Sequence, residues 1–346
     1  MSEKEKSVVI ENGEKKAKHF RFNWKTAISI VALAVIVYII SKTDFSTIIA
    51  QMKLLPVHII SILILLQIIT QLALNYQWYR ICKVLGLKAS FFRLLAINAY
   101  GMVADAVTPG EKVGGEVARV VQMNSMLGYD TKQSTSIVTI QKSLSLTALV
   151  VLNGVAVVTL SSHIDFLKPV FTRIILYLIL GALTVFFIFM LFFTDRLNAW
   201  VQNRKSENKA MLWFKNWMNR FAEDTKAISV RKSEWAIQLL LSFVIWILFP
   251  VKLIILVSQY GKVGVFVLLA ATFVSYFAAM IPLLPGGLGT FESAMSGILI
   301  VYGLTMQEAV AVSLIFRFVT FWFVVLFSLC VIAAWKISQY IKRKKK

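Results

Sequence analysis

The chain has 346 residues, 58% of them hydrophobic, and a mean hydropathy of +0.74. Apolar runs with the length and composition of a bilayer span recur along it, which excludes a soluble globular domain and predicts a polytopic membrane protein. The net charge of +20 does not indicate nucleic acid as a partner, because the lysines and arginines lie between the apolar runs, where cytoplasmic loops carry them. Whether these basic clusters also attract anionic lipid headgroups is left open by the sequence.

Cysteines and histidines give no indication of a disulfide framework or a metal site. Cys82 and Cys330 are far apart and lie in or beside apolar runs, and the three histidines are scattered. The sequence also shows no nucleophile–base pair and no nucleotide-binding loop. We therefore predict no metal, no cofactor and no catalytic residue, and an enzyme is not the expected class.

The first membrane half is predicted to cover residues 26–193, behind a basic, disordered and cytoplasmic N-terminus at 1–25. Between its second and third spans, segment 94–122 is interrupted, charged and rich in glycine. Because each span reverses the side of the membrane, this segment is predicted to be a re-entrant hairpin that enters from the cytoplasm. The predicted full spans of this half are 26–40, 56–78, 134–160 and 175–193.

Residues 194–233 are predicted to form a basic cytoplasmic loop that contains an amphipathic helix. Its apolar stripe consists of Trp213, Phe214, Trp217, Met218 and Phe221, which fall on one helical face. A helix lying in the membrane interface and a soluble helix packed on the membrane core explain this stripe equally well.

The second membrane half, 234–336, repeats this organisation and is followed by a basic cytoplasmic tail at 337–346. Its predicted spans are 235–258 and 304–335, and a re-entrant hairpin at 263–303 enters from the opposite side. The predicted fold is an all-α polytopic membrane protein with about six full transmembrane helices and two opposed re-entrant helical hairpins that form an inverted repeat.

The repeat depends on landmarks that recur in the same order in both halves. Each set begins with a Pro-Gly pair, followed by a glutamate seven residues after the proline, then a glycine and a lone cation inside an apolar helix. In the first half these are Pro109, Gly110, Glu116, Gly128 and Lys142. In the second half they are Pro285, Gly286, Glu292, Gly303 and Arg317.

The two Pro-Gly breaks are predicted to be hairpin tips that face a polar cavity. Proline ends one half-helix and glycine permits a tight reversal. The next half-helix then begins with unpaired N–H groups and a partial positive charge, which favour an anion. The glycines predicted to offer backbone donors to a substrate are Gly110, Gly286, Gly287 and Gly289.

Charged side chains inside the membrane are expected to face the protein interior, because a position facing lipid costs several kcal/mol. Arg119, Lys142 and Arg317 are predicted to bind an anionic substrate, while Glu116 and Glu292 balance charge or relay a proton. The alternative is structural and compatible with this role: Glu116 pairs with Arg119 or Lys142, and Glu292 pairs with Arg317. The charged residues expected to be solvated at the cytoplasmic mouth are Asp105, Glu111 and Lys112.

Two segments resemble the flippase-like transmembrane region of lysylphosphatidylglycerol synthases, the multiple peptide resistance factor family. They are PGEKVGGEVARV at 109–120 and PLLPGGLGTFESAMSGILIVYG at 282–303, with Arg317 following. The family motif is Pro-x-x-x-Gly-Glu, whereas here Glu111, Lys112 and Val113 lengthen the segment that follows the proline. Either Glu111 or Glu116 can therefore correspond to the glutamate of the motif. We favour Glu116, because Arg119 is then in register.

The resemblance covers most of the chain from about Lys42 and implies a protein of the bacterial cytoplasmic membrane. It implies movement of an anionic or aminoacylated phospholipid, such as phosphatidylglycerol or lysyl-phosphatidylglycerol, or of a polyprenyl-phosphate carrier, between leaflets. Anionic membrane lipids are therefore the expected partners.

Full-length members of that family carry a soluble domain that transfers lysine to phosphatidylglycerol. The present chain reaches IKRKKK directly after its last apolar run, so we expect no such domain, and a lysyltransferase name would follow the membrane region alone. A second hypothesis is a membrane subunit that works with a separate lipid-modifying enzyme. A third is a transporter for a small anion.

Overall fold

The computed structural model describes residues 55–108, 114–160, 170–204, 208–230, 232–280 and 286–344, and every regular element within these ranges is helical. Three sets of predicted features fall outside the described residues: the N-terminal segment 1–25, the span 26–40, and the tips of both breaks at 109–113 and 281–285.

The first half contains five helices, counted within the described residues. Ser90 caps the second helix by accepting a hydrogen bond from the backbone N–H of Arg93 at 3.2 Å. Gly128 ends the third with a φ of 75°, a conformation that glycine adopts readily. The helices are α1 (Val57–Val84), α2 (Phe91–Val107), α3 (Gly114–Leu127), α4 (Thr131–Leu160) and α5 (Val170–Phe192).

Two helices, α6 (Thr194–Gln202) and α7 (Lys209–Ser229), follow in the basic loop. The second half then contains α8 (Lys232–Val257), α9 (Val265–Ala279), α10 (Thr290–Val301), α11 (Met306–Arg317), a π-helical turn at Phe318–Trp322 and α12 (Phe323–Lys344). Helices α11 and α12 are continuous through the turn. Because α12 ends at Lys344, it includes most of the predicted basic tail.

Five helical segments in the described part of the chain are long and apolar enough to cross a membrane. They coincide with five of the predicted spans, and the architecture is that of an all-helical, multi-pass membrane protein. The last segment has 39 residues, or about 58 Å at 1.5 Å per residue, and so extends beyond a hydrocarbon core of about 30 Å. The segments are Val57–Val84, Thr131–Leu160, Val170–Phe192, Ser233–Val257 and Met306–Lys344.

The spans differ in how much of their surface the protein covers. Only 11% of the apolar window of α5 is buried, and its exposed side chains include Phe171, Leu178 and Phe186. In α4 the buried share is 56%. A membrane protein can leave such an apolar surface exposed only where lipid covers it, so α5 faces lipid and α4 lies at the centre of the bundle.

Two pairs of short helices lie between the spans. Helices α2 and α3 pack against each other, as do α9 and α10, and a glycine with positive φ follows each pair, at Gly128 and Gly303. The two breaks adjoin, because the backbone N–H of Gly286 donates to the carbonyl of Thr108 at 3.5 Å. Both halves therefore have the same order of short helix, break, short helix, glycine and long helix.

Buried polar side chains join the long helices around the middle of the bundle. Gln77 of α1 donates to Ser242 of α8 at 2.8 Å, and Gln141 of α4 donates to Gln77 at 3.1 Å. Three residues after Gln77 in α1, Arg80 pairs with Glu234 at 2.5 Å. Interhelical hydrogen bonds of this kind position helices in lipid, where apolar contact alone favours no particular partner.

The apolar stripe of α7 is divided between two environments. Trp217, Met218 and Phe221 are buried in a core cluster with residues of α1 to α4, as the packed-helix alternative predicted. Trp213 and Phe214, in contrast, are 44% and 38% exposed. The stripe therefore anchors α7 through its middle turns and leaves two aromatic side chains uncovered.

A substitution at Gly287 can test how tightly the chain packs beside the second break. Its φ is +66°, and a Cβ there would meet Ala279 Cβ at 2.7 Å and its carbonyl oxygen at 2.8 Å. We expect Gly287→Ala to lower the free energy of unfolding by roughly 2 kcal/mol or more, from left-handed backbone strain and the clash together. Thermal unfolding in a mild detergent measures the change.

The matched control is Gly297→Ala in α10, where a Cβ meets nothing within 4 Å. Alanine there should be neutral or stabilising by up to about 1 kcal/mol, since it is the better helix former. Equal stability of the two variants would contradict the close packing of Gly287.

Candidate substrate cavity

A cavity lies among α1 to α4, α8, α9 and α12, with an empty volume of about 930 Å³ including its open side. Part of its wall is apolar and aromatic, with Trp78, Trp246, Phe249, Tyr276 and Phe321. The charged members of the described wall are two acids and two bases: Asp105, Glu116, Arg119 and Lys142. A cavity with one charged and one aromatic region suits an amphiphilic molecule better than a small ion.

One carboxylate in this cavity is shared by two cations. Glu116, in the first turn of α3, has its Oε1 atom 3.1 Å from Lys142 Nζ and 3.3 Å from Arg119 Nη1. Both salt bridges offered as alternatives from the sequence are therefore present together. The Glu116 side chain is 19% exposed and the Lys142 side chain 25%, so solvent or a ligand can reach the pair.

Arg119 is the buried member of this group, at 4% exposure. Its Nη2 atom lies 3.4 Å from Asp105 Oδ2, and its guanidinium carbon lies 5.8 Å from the centre of the Trp78 ring. Gly101 of α2 provides the space, since a Cβ there would come within 2.6 Å of the Arg119 Nε atom. A cation held on three sides in this way has a fixed position in the cavity wall.

The expectation that Asp105 is solvated was wrong. Its side chain is buried, at 7% exposure, and its Oδ1 atom accepts a hydrogen bond from the backbone N–H of Gly115 at 2.8 Å. Gly115 lies in the first turn of α3, where a carboxylate is favoured by the unpaired N–H groups and the helix dipole. Asp105 therefore binds the start of the helix that was predicted to bind a substrate anion.

The second half has a related arrangement at its own break. Glu292 Oε2 accepts from the backbone N–H of Gly289 at 2.7 Å, and its Oε1 atom lies 3.5 Å from Arg317 Nε, as predicted for this pair. Arg317 also donates to the carbonyl of Gly286. The start of α10 is thus bound by a carboxylate, and Arg317 connects that carboxylate to the chain on the other side of the turn.

Aromatic rings enclose Arg317, which is 2% exposed. Its guanidinium carbon lies 4.8 Å from the centre of the Phe291 ring and 4.3 Å from that of Phe321. Phe321, from the π-helical turn, belongs to the cavity wall, whereas Arg317 does not. Phe321 therefore stands between the cavity and Arg317.

The candidate site residues consequently form two groups. Arg119, Lys142 and Glu116 meet in the cavity wall. Arg317, which lies behind Phe321, instead contacts Glu292 and Gly286, and Gly287 and Gly289 belong to the same break. Gly110 lies outside the described residues.

The role of Asp105 was not recognised from the sequence, although a signal was present. An ionisable residue inside an apolar run is expected to face the protein interior, and Asp105 lies in such a run. Trp78 carried no comparable signal, because an aromatic residue in a membrane helix faces lipid, protein or the interface equally well by composition.

The geometry can now be compared with known proteins. Residues 24–328 match the family described as the lysylphosphatidylglycerol synthase TM region. The chain belongs to this family. The match includes the four charged residues of the cavity and the Glu292–Arg317 pair, so the resemblance seen in two motifs extends over almost the whole membrane region.

Two relatives are UPF0104 membrane proteins of archaea. The protein of Methanothermobacter thermautotrophicus is 22% identical over 313 residues, which are 86% of this chain and 90% of the relative. That of Pyrococcus horikoshii is 23% identical over 312 residues, 86% of this chain and 93% of the relative. The similarity therefore concerns nearly complete chains rather than isolated motifs.

The shared carboxylate predicts energetic coupling between Glu116 and Lys142. We expect Glu116→Gln to lower the free energy of unfolding by roughly 1–3 kcal/mol, because it leaves two cations without their common acceptor. Lys142→Met added to Glu116→Gln should cost less than the two separate effects together, by about 0.5–3 kcal/mol. Unfolding of the four proteins of this cycle in detergent provides the measurement, and strictly additive effects would contradict the shared salt bridge.

Proposed function

We propose that this protein moves an anionic phospholipid or a lipid-linked phosphate between the two leaflets of a membrane. The observation that carries the proposal is the pair of cations, Arg119 and Lys142, that share the Glu116 carboxylate in the wall of an otherwise largely apolar cavity. A phosphate has oxygens suited to the same donors and can replace the carboxylate between them.

The exchange of ligands gives Glu116 a function in this proposal. When the lipid phosphate binds Arg119 and Lys142, the Glu116 carboxylate loses both partners and takes up a proton. When the lipid leaves, Glu116 releases the proton and pairs with the cations again. The same residue thus balances the charge of the empty site and couples lipid movement to a proton.

The cavity also fits the remainder of a lipid headgroup. Its charged wall holds two acids and two bases, so the phosphodiester of phosphatidylglycerol adds one negative charge, which the proton taken up by Glu116 offsets, while an aminoacylated headgroup also brings its own ammonium charge. Aromatic rings such as Trp246 and Tyr276 attract an ammonium through their faces. We therefore include phosphatidylglycerol, lysyl-phosphatidylglycerol and polyprenyl phosphate as candidate substrates.

The topology that we propose is an inverted repeat in which α2–α3 and α9–α10 are re-entrant hairpins from opposite sides. Their helices have 17, 14, 15 and 12 residues, shorter than the roughly 20 that a full span needs. Irregular backbone at membrane depth must be enclosed by protein or line a cavity, and the contact of Gly286 with Thr108, the described residues beside the two breaks, supports this placement. Segment 26–40 would supply a sixth crossing, with both termini in the cytoplasm of a bacterial cell.

In this proposal the two hairpins have different tasks. Arg119 and Lys142 bind the phosphate, and the backbone of Gly110 at the first tip adds a donor. Arg317, Glu292 and the glycines Gly286, Gly287 and Gly289 hold the second tip in place behind Phe321. They act on the substrate through the shape of the cavity wall.

Leaflet exchange in proteoliposomes tests the proposal. We expect the wild-type chain alone to exchange at least one of labelled phosphatidylglycerol, lysyl-phosphatidylglycerol and polyprenyl phosphate. Arg119→Gln should slow that exchange by about ten- to a hundredfold, because it removes a charge-assisted contact worth roughly 1.5–3 kcal/mol.

Arg343→Gln is the matched control, since Arg343 is exposed near the end of α12 and carries the same charge. A folded Arg119→Gln protein that exchanges lipid as fast as this control would contradict the assigned site. Absence of exchange of all three lipids by the folded wild type would contradict lipid transport itself.

A second candidate function is a membrane subunit for a separate lipid-modifying enzyme, favoured by the two exposed aromatic side chains of α7, Trp213 and Phe214. In that case the loop would be a docking surface. Loss of a co-purifying transferase on Trp213→Ser and Phe214→Ser substitution, with lipid exchange absent from the wild type, is the result that this candidate requires.

A further inference from the structure

A second cation is buried beside the cavity, away from Arg119. Lys252 of α8 is 0% exposed, donates to Gln67 Oε1 and, at 3.0 Å, to Thr70 Oγ1, and lies 4.2 Å from the centre of the Phe249 ring. Among the residues that the structure describes, no carboxylate forms an ion pair with it. Burial of an ammonium without a counter-ion costs several kcal/mol, so the resting protein retains this lysine at a cost in stability.

The ammonium group of Lys252 is next to the cavity wall. Thr70, its hydrogen-bond partner, and Phe249, on which it stacks, both line the cavity. A lysine side chain has four rotatable carbons and three donors. Lys252 itself does not line the cavity, so binding of a ligand there requires a rotation of its side chain past Thr70.

A second donor beside Lys252 has no acceptor. Gln67 is 0% exposed, and its Nε2 atom makes no hydrogen bond with any described residue. Buried polar atoms of this kind are rare, because each costs about 1–3 kcal/mol. An anion at this place would accept hydrogen bonds from Gln67 and from Lys252 and would neutralise the lysine.

Arg119 and Lys252 contact α1 at different positions along its axis. Trp78, which faces Arg119, and Thr70, which contacts Lys252, are eight residues apart on the same cavity wall. At a rise of 1.5 Å per residue they are separated by about 12 Å along the helix axis. Because α1 is a candidate span, this separation runs across the membrane.

We propose that Lys252, with Gln67 and Thr70, is a second phosphate-binding site, to which a lipid headgroup moves after it leaves Arg119 and Lys142. This inference rests on the proposed lipid transport and adds an intermediate position to it. A headgroup that crosses the apolar part of the cavity loses its first cations, and a second cation, whose contact Thr70 lies about 12 Å along α1 from Trp78, compensates its charge before it reaches the other leaflet.

Two measurements on Lys252→Met separate the second site from the first. Leaflet exchange in proteoliposomes is measured with the labelled lipid that the wild type exchanges, among phosphatidylglycerol, lysyl-phosphatidylglycerol and polyprenyl phosphate. Dihexanoyl-phosphatidylglycerol, which is water-soluble, reports binding through the rise in the melting temperature of the protein in an uncharged detergent. Methionine has a similar length and no charge, so the variant should fold at least as stably as the wild type.

We expect Lys252→Met to slow exchange by tenfold or more and to keep the rise in melting temperature that binding at Arg119 and Lys142 produces. Lys252→Arg should keep most of the exchange. Gln67→Leu, which removes the unpaired donor and retains the lysine, should slow exchange by a smaller factor. The control is Lys262→Met, an exposed lysine ten residues further along, which should exchange like the wild type.

Three outcomes would overturn the inference in distinguishable ways. Exchange by Lys252→Met at the rate of Lys262→Met would refute the second site and leave the proposed function intact. Loss of both exchange and the melting-temperature rise would place Lys252 in the first site. Absence of exchange of all three labelled lipids by the folded wild type would refute the transport function and the second site together.

Discussion

Backbone N–H groups at the start of a helix, and charged side chains at membrane depth, must find partners within the protein, because lipid offers none. Both interrupted helix pairs meet this constraint with a carboxylate at the start of the second helix and an arginine beside the carboxylate. In the first half these are Asp105 and Arg119, and in the second half Glu292 and Arg317. In the second half Arg317 also donates to the carbonyl of Gly286, whose N–H donates in turn to Thr108 of the first half.

The two halves meet the same constraint with residues from different places in the chain. Glu292 belongs to the helix that it caps, whereas Asp105 comes from the helix before the break. Because Asp105 takes the helix start in the first half, Glu116 instead contacts Arg119 and Lys142 at the cavity wall. This difference makes one half of a repeated architecture suited to bind a ligand and the other suited to hold the wall in place.

The proposed transport follows from that asymmetry. A carboxylate shared by two cations is stable while the cavity is empty and can be replaced by a phosphate, whose anionic oxygens accept hydrogen bonds from the same donors. Arg317 has no such access to the cavity, since Phe321 covers it, although its partner Glu292 is 17% exposed. The proposed function therefore depends on which charged pair lines the cavity, and both halves contain a pair.

The sequence by itself determined the helical class and five of the spans. It also offered salt bridges of Glu116 with Arg119 or Lys142 and of Glu292 with Arg317, and all three are present. These features depend on local quantities: the length of an apolar run, the conformations open to proline and glycine, and the cost of an unpaired charge in lipid. The resemblance to the family was likewise visible in two short segments, 109–120 and 282–303, because a motif is a local feature of the sequence.

Only the tertiary structure decided which side each charged residue faces. Asp105 is buried because α3 places its first N–H groups beside it, and Arg317 is closed off because a ring of the π-helical turn lies over it. The Lys252 side chain meets partners that lie 182 and 185 residues away in the chain. Apolar periodicity is weak in a helix surrounded by lipid and by equally apolar neighbours, so the face that a polar side chain presents is fixed by long-range contacts that no local pattern encodes.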